Sequence, residues 1–298
     1  MGPSSLSVNF LADWRQILTE ALQRDGYLVE PGDDAHQVAI KFFNVQRALV
    51  PLAQRRIVEA DTLSCPPRVA AGYAKLRSKF ENGADVAPHQ SRSWHLRATF
   101  FDGLLHDWGI QHFHLGEQFE ATGSGLVDRT GPILYAMVTT DTVYCIRIDD
   151  HGKWTELELL RTVYRNWPEL LLRFRPQGIV GISGPTITES ELKLRRKNGI
   201  VGLIEIEPGI FLFSPGGGYA SSGASIPVVK TAMLYRKTIQ ALEDQVRSNE
   251  QFIRQNLVEA GVVIETPLPL LLRLRDGEFV AVHERSKRIY GLGVTLGF

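Results

Sequence analysis

The order of the periodic segments along the chain most constrains its fold. The first hundred residues carry apolar side chains at helical spacing, as in the stretch from Phe10 to Arg24. After Gly109 the pattern changes to strand-like runs over 110–115, 133–136 and 143–148. Helices gathered before hairpins, with more helix afterwards, are typical of an α+β protein. A doubly wound nucleotide-binding sheet, which alternates strand and helix strictly, is therefore not expected.

The remaining periodic segments predict two regions. We expect further helices over 35–60, 69–82, 97–108, 157–174 (with a break at 166–168), 189–198 and 228–260. Asp276-Gly277 between two apolar runs predicts a two-residue hairpin turn. We place the boundary near residue 175. Residues 1–175 would form a helical layer with a small antiparallel sheet, and residues 176–298 a second α+β region with a Gly-rich loop and a long helix.

Composition narrows the class of protein. The 298 residues include 33 Lys and Arg against 33 Asp and Glu, so the formal net charge is zero. This balance argues against a generally basic nucleic-acid coat but allows local basic clusters, such as the one at Lys193, Arg195, Arg196 and Lys197. Two cysteines can build neither a disulfide framework nor a CxxC zinc module. No apolar run approaches the roughly 20 residues of a membrane helix, so we expect a soluble, cytoplasmic protein without a membrane partner.

With so few cysteines, histidines are the main candidates in this chain for acid–base catalysis at neutral pH. Four of the eight histidines, His95, His106, His112 and His114, fall within twenty residues. His112 and His114 are two apart on the predicted strand and share a face, opposite Phe113 on the expected buried side. Such a pair can act as base and acid in cleaving a phosphodiester through a ribose 2′-hydroxyl. The alternative is an exposed strand face, or imidazoles that only bond to nearby backbone.

The same strand allows a metal site. His-x-His places two nitrogen ligands on one cation, and His106 could supply a third, which gives the set His106, His112 and His114. Few carboxylates accompany these residues, and there is no HExxH motif. We therefore expect no metal and no other cofactor, and keep this set as the alternative.

His151 follows the strongest predicted strand. It stands in the turn His151-Gly152-Lys153-Trp154, where a side chain can reach neighbouring strands. Arg129, at the start of the preceding strand, supplies a guanidinium that suits a phosphate oxyanion. The alternatives are a polar turn residue for His151 and a surface charge for Arg129.

These segments together resemble a known ribonuclease superfamily. A helix, a strand with Gly109-Ile-Gln-His112-Phe-His114-Leu-Gly116-Glu117, and a meander ending in His151-Gly-Lys153-Trp are similar to the barnase–EndoU–colicin–RelE superfamily over roughly residues 95–170. Three stretches, His-x-His-Leu-Gly, His-Gly-x-Trp and Asn-Trp-Pro-Glu, also resemble an uncharacterised family of bacterial proteins. That second resemblance does not indicate which activity the chain has. The superfamily resemblance implies RNA cleavage without metal. His112 or His114 would be one acid/base group and His151 the other, with Lys153 and Arg129 stabilising the developing charge.

A second candidate site is the Gly-rich loop before the last long helix. Gly216, Gly217 and Gly218 could turn backbone N–H groups toward an anion, and Tyr219, Ser221 and Ser222 could contact a ligand. The loop lacks the GK[ST] ending of a P-loop, so nucleotide hydrolysis is not indicated. The alternative is a structural loop.

The sequence thus predicts a metal-independent RNA endonuclease-like protein that uses a histidine acid/base pair. The resemblance adds a role as a toxin or phage-defence effector, with RNA as substrate and an antitoxin as a partner, and the long helix allows a homodimer. Two alternatives stay open: a non-catalytic ligand- or protein-binding module, and a metal-dependent hydrolase built on the His-x-His strand.

Overall fold

The computed structural model describes residues 6–152, 156–178, 187–198, 200–220 and 222–296. The chain has two compact units, one of Met1–Gln46 with Val229–Phe298 and the other of Arg47–Val228. This division differs from the boundary expected near residue 175. Leu192, Ile204 and Leu212 pack in the same apolar core as Ile146, so the segment after 175 belongs with the residues before it.

The α+β class is confirmed. The helices are α1 (Phe10–Arg24), α2 (Ala35–Ala48), α3 (Ala70–Asn82), α4 (Arg92–Leu96), α5 (Gly103–Trp108), α6 (Glu158–Asn166), α7 (Glu169–Leu172), α8 (Glu189–Lys197), α9 (Ile226–Ser248) and α10 (Glu250–Glu259). The strands are β1 (Leu6–Ser7), β2 (Arg56–Glu59), β3 (Ile110–His114), β4 (Pro132–Val138), β5 (Thr142–Asp150), β6 (Ile204–Glu207), β7 (Ile210–Leu212), β8 (Leu268–Pro269), β9 (Leu271–Arg275), β10 (Glu278–His283) and β11 (Arg288–Thr295). None of these helices is long and apolar enough to cross a bilayer.

The unit of Met1–Gln46 and Val229–Phe298 joins the two ends of the chain. β1 pairs in parallel with β8, and β9, β10 and β11 form an antiparallel sheet in the order β11-β10-β9. The Asp276-Gly277 turn joins β9 to β10 as predicted, and both residues have positive φ (50° and 81°), which a two-residue hairpin turn of the primed type requires. The single helix predicted over 228–260 is two helices, because the chain breaks at Asn249 between α9 and α10.

The unit of Arg47–Val228 contains a four-stranded sheet in the order β2-β5-β4-β3. β3, β4 and β5 form the expected antiparallel meander, but β2 pairs with β5 in parallel, so the sheet is mixed. The helix predicted over 35–60 ends at Ala48, and its last part is β2. Apolar clusters cover both faces of the sheet: Phe113 and Leu134 pack toward α3, whereas Tyr135 and Ile146 pack toward α6 and the β6–β7 hairpin.

Candidate functional site

β3 places His112 and His114 on one face of the sheet, as predicted. In the antiparallel register they lie opposite Tyr135 and Ile133 of β4, which belong to a buried cluster. The face expected to be open is therefore buried, and the two side chains are only 5% and 6% exposed. The alternative interpretation, an exposed strand face, was therefore wrong, because this side of the sheet carries the apolar cluster that includes Tyr135 and Ile133.

His151 completes a cluster of three imidazoles. It follows the end of β5, two strands away from β3, and its side chain is exposed. The ring centroids are 5.5 Å apart for His112 and His151, 5.8 Å for His114 and His151, and 5.8 Å for His112 and His114. One ring nitrogen from each residue lies within 4.8 Å of the other two. We call His112, His114 and His151 the histidine cluster.

Asp102 adds a carboxylate to this cluster. It is the N-cap of α5: its Oδ1 accepts hydrogen bonds from the backbone N–H groups of Leu104 (2.8 Å) and Leu105 (3.1 Å). Its Oδ2 lies 3.8 Å from Nδ1 of His112. In the sequence, Asp102 counted only among the few carboxylates near the histidines, with no role assigned to it. The signal that could have placed it is the Asp-Gly-Leu-Leu stretch, in which Asp is a favoured N-cap.

A cavity of about 390 Å³ opens beside the cluster. His112, His151, Asp102 and Gly152 line it together with Ser91, Ser93, Phe100, Phe101, Gly103, Leu104, Lys193 and Arg196. Arg196 is fixed there, because its Nε donates to Oδ2 of Asp107 (2.7 Å) and its guanidinium lies 4.1 Å above the ring of Trp108. The basic run of α8 thus brings two cations, Lys193 and Arg196, to the same cavity as the histidines.

The electrostatic setting keeps the buried imidazoles neutral. Burial lowers the pKa of both His112 and His114 to about 3, and the positive charge of Arg129 contributes in the same direction. Burial also lowers the pKa of His151, an effect that the carboxylate of Asp102 opposes. At neutral pH both buried imidazoles are therefore in the neutral form, and His151 is the member of the cluster that solvent reaches.

Arg129 lies close enough to influence all three histidines. Its Nη1 donates to the backbone oxygen of Gln90 (2.9 Å), and its Nε lies 3.6 Å from Oε1 of Glu120. Its Nη2 is buried and has no hydrogen-bond partner among the described residues. The predicted role of Arg129 in stabilising an oxyanion stays a prediction, and Lys153, its predicted partner in that role, lies outside the described residues.

The Gly-rich loop does not present an anion site. The N–H groups of Gly216, Gly217 and Gly218 already donate to the backbone oxygens of Asp107 (2.7 Å), Ser214 (2.9 Å) and His106 (2.8 Å). The prediction that these glycines bind a ligand was therefore wrong for their N–H groups: those of Gly216 and Gly218 hold the loop against α5, and that of Gly217 closes a turn within the loop.

The same loop also contains a tyrosine and a serine that were predicted to contact a ligand, Tyr219 and Ser221. Tyr219 is buried, with its ring 6.2 Å from that of His106. It is not among the residues that line the cavity described above. Ser221, also a predicted contact, lies outside the part of the chain that the structure describes.

His106 is not part of the histidine cluster. Its ring is fully buried next to those of Trp94 (6.0 Å), Phe101 (5.5 Å) and Tyr219 (6.2 Å). Among the described residues, the histidines that come together are His112, His114 and His151. The alternative metal set is corrected accordingly: His151 takes the place of His106.

Comparison of the chain with protein-family models, with curated proteins and with solved structures found no match. The histidine cluster and its cavity are therefore interpreted from their own geometry.

Proposed function

We propose that this protein cleaves RNA by phosphodiester transfer, and that the histidine cluster is its reaction centre. The observation that carries the proposal is the convergence of three imidazoles beside a cavity that Lys193 and Arg196 also line. The chain brings these groups together from β3, from the end of β5 and from α8. A non-catalytic module needs no such convergence of proton-transfer groups and cations.

The arrangement suits attack by a ribose 2′-hydroxyl. His112 is in the neutral form that a base needs, and we assign it the removal of the 2′-OH proton; the Asp102 carboxylate, 3.8 Å from its Nδ1, orients the ring and offsets the burial of the imidazolium that forms. The 2′-oxygen then bonds to phosphorus and the bond to the 5′-oxygen breaks. His151, at the exposed mouth of the site, protonates that leaving oxygen. The products are a 2′,3′-cyclic phosphate and a free 5′-hydroxyl.

Cations around the cavity suit the charge of the reacting phosphate. Arg196 is held rigidly by Asp107 and Trp108, so it can bind a phosphate oxygen without a large ordering cost. Arg129 has a buried Nη2 and acts on the same histidines, which favours it as a donor to the transition-state oxyanion.

The experiment is RNA cleavage in EDTA by the wild type and by His112→Ala and His151→Ala. We expect each variant to lose at least a hundredfold in rate, as general acid–base groups typically contribute 10²–10⁴-fold. His36→Gln, a histidine on α2 outside this unit, is the matched control and should cleave at the wild-type rate. An RNA left intact by the wild type, or cut equally by His151→Ala, would contradict the proposal.

The biological role proposed with this activity is that of a toxin or phage-defence effector, which depends on the superfamily resemblance. Induced expression of the wild type in bacteria should arrest growth, and His151→Ala should not. Equal growth of the two strains at equal protein levels would remove this role.

A further inference from the structure

The histidine cluster has the donor set of a transition-metal site. Three imidazole nitrogens from His112, His114 and His151 lie within 4.8 Å of one another, on a rigid strand and at the end of another. An independent observation points to a missing partner: Nδ1 of His114 is buried and has no hydrogen-bond partner among the described residues. Buried polar atoms normally have one, so this nitrogen is available to a bound group.

The geometry needs a modest closure to coordinate an ion. Nitrogens bound at 2.0–2.1 Å around a tetrahedral centre are about 3.3 Å apart, so separations that are all within 4.8 Å must shorten by at most about 1.5 Å. His151 can supply this movement, because it is exposed and precedes Gly152, a glycine with φ of 106° in the turn after β5. His112 and His114 are fixed by the sheet, so the pair provides a preformed half of the site.

The ligand chemistry selects the ion. Imidazole suits Zn²⁺, Cu²⁺ and Ni²⁺, whereas Mg²⁺ and Ca²⁺ prefer oxygen ligands, of which Asp102 is the nearby example. The Asp102 carboxylate faces Nδ1 of His112, and metal-binding imidazoles typically have such a carboxylate beside the ring nitrogen that does not bind the metal. The positive charge of Arg129 opposes a cation here, which favours reversible over permanent occupancy.

We propose that His112, His114 and His151 bind one divalent ion of the zinc class and that its binding switches off RNA cleavage. The lone pairs that would move protons are then bound to the metal, so His112 cannot accept the 2′-OH proton and His151 cannot protonate the leaving oxygen. The inhibitory half of this inference rests on the proposed function, whereas the metal site does not.

The test measures binding and cleavage separately. Metal-free protein is titrated with Co²⁺, followed by visible absorption, and with Zn²⁺, followed by calorimetry. We expect one ion per chain, and at least tenfold weaker binding by His151→Ala and by His114→Ala. His36→Gln is the control, with wild-type binding expected. Because His114 is buried, circular dichroism checks the fold of that variant, and the exposed His151 keeps the test valid if His114→Ala does not fold.

Cleavage is then followed as Zn²⁺ is added to EDTA-treated protein in the presence of Mg²⁺. We expect the rate to fall at least tenfold as the site fills, and to recover when a chelator removes Zn²⁺, with no effect of Mg²⁺ alone.

The two readouts separate the two proposals. Absence of Co²⁺ and Zn²⁺ binding overturns the metal site while leaving RNA cleavage standing. Cleavage that requires Zn²⁺ overturns the inhibition and the metal-free mechanism together. Stoichiometric binding that depends on His151, without any RNA cleavage, supports the site and contradicts the proposed function.

Discussion

Asp102 caps α5 and, in the proposed mechanism, also stabilises the imidazolium of His112; substitution can separate these two roles. Asp102→Ala removes the acceptor of two backbone N–H groups at the start of α5, at 2.8 and 3.1 Å, in a buried position. Loss of an N-cap costs about 1 kcal/mol, and buried unsatisfied donors add to it, so we expect about 2 kcal/mol less free energy of unfolding. Asp102→Asn keeps an oxygen acceptor and should be more stable than the alanine variant by at least about 1 kcal/mol.

The role proposed for Asp102 in catalysis depends on its charge, whereas its capping role depends on hydrogen bonding. At 3.8 Å from Nδ1 of His112, the carboxylate attracts an imidazolium by up to about 4 kcal/mol at an effective dielectric constant of 20. Both variants lose this attraction, so both should cleave RNA at least tenfold more slowly, which corresponds to about 1.4 kcal/mol.

Urea denaturation at constant pH measures the stability of the two variants, and initial rates of RNA cleavage measure the activity. Equal stability of the alanine and asparagine variants would refute the capping argument. Wild-type activity of Asp102→Asn would refute the electrostatic one.

Three further predictions concern the surroundings of the cavity. Gly216→Ala places a Cβ 2.3 Å from a backbone oxygen of α5 and should lower the free energy of unfolding by about 3 kcal/mol. Gly131→Ala, where a Cβ has room, should change it by less than about 1 kcal/mol, and similar stabilities of the two variants would contradict the close packing at Gly216. Asp107→Ala leaves the buried Arg196 guanidinium without its carboxylate and should cost about 3–5 kcal/mol in chemical denaturation, so a loss below about 1 would argue against this ion pair. Burial lowers the pKa of His106 to about 3, so as the pH drops below about 6.5 the unfolded chain binds a proton at His106 that the folded chain does not, and the free energy of unfolding falls. His106→Phe should make this fall shallower by about 1.4 kcal/mol per pH unit between pH 6 and 4, and an unchanged slope would contradict the prediction.

Local patterns predicted local structure well. α1 begins and ends at the predicted residues, because the apolar spacing from Phe10 and the cap at Asn9 act within one segment. The β4–β5 hairpin and the Asp276-Gly277 turn are also short-range features. The helix expected to run to residue 60 failed because β2 owes its conformation to parallel pairing with β5, about ninety residues away in the chain, and no local period records that pairing.

The candidate site shows the same limit. The i, i+2 spacing of His112 and His114 predicted their common face, and the turn composition predicted an accessible His151. The burial of the pair could not be predicted, because it depends on tertiary packing around β3, which brings residues such as Leu104 of α5 and Arg196 of α8 to the cavity beside His112. The approach of Arg196 to Asp107, 89 residues apart, is likewise a product of tertiary packing, as is the distance between Asp102 and His112.

The most direct test of the central claim uses a DNA oligonucleotide that contains a single ribonucleotide, incubated with the wild-type protein in EDTA. The proposed chemistry needs the 2′-hydroxyl and no metal, so we predict one cut, immediately 3′ of the ribonucleotide, with a 2′,3′-cyclic phosphate and a 5′-hydroxyl identified by mass spectrometry. An intact oligonucleotide, or cuts at the deoxyribonucleotide positions as well, would contradict the assignment of His112, His114 and His151 as the reaction centre of an RNA-cleaving enzyme.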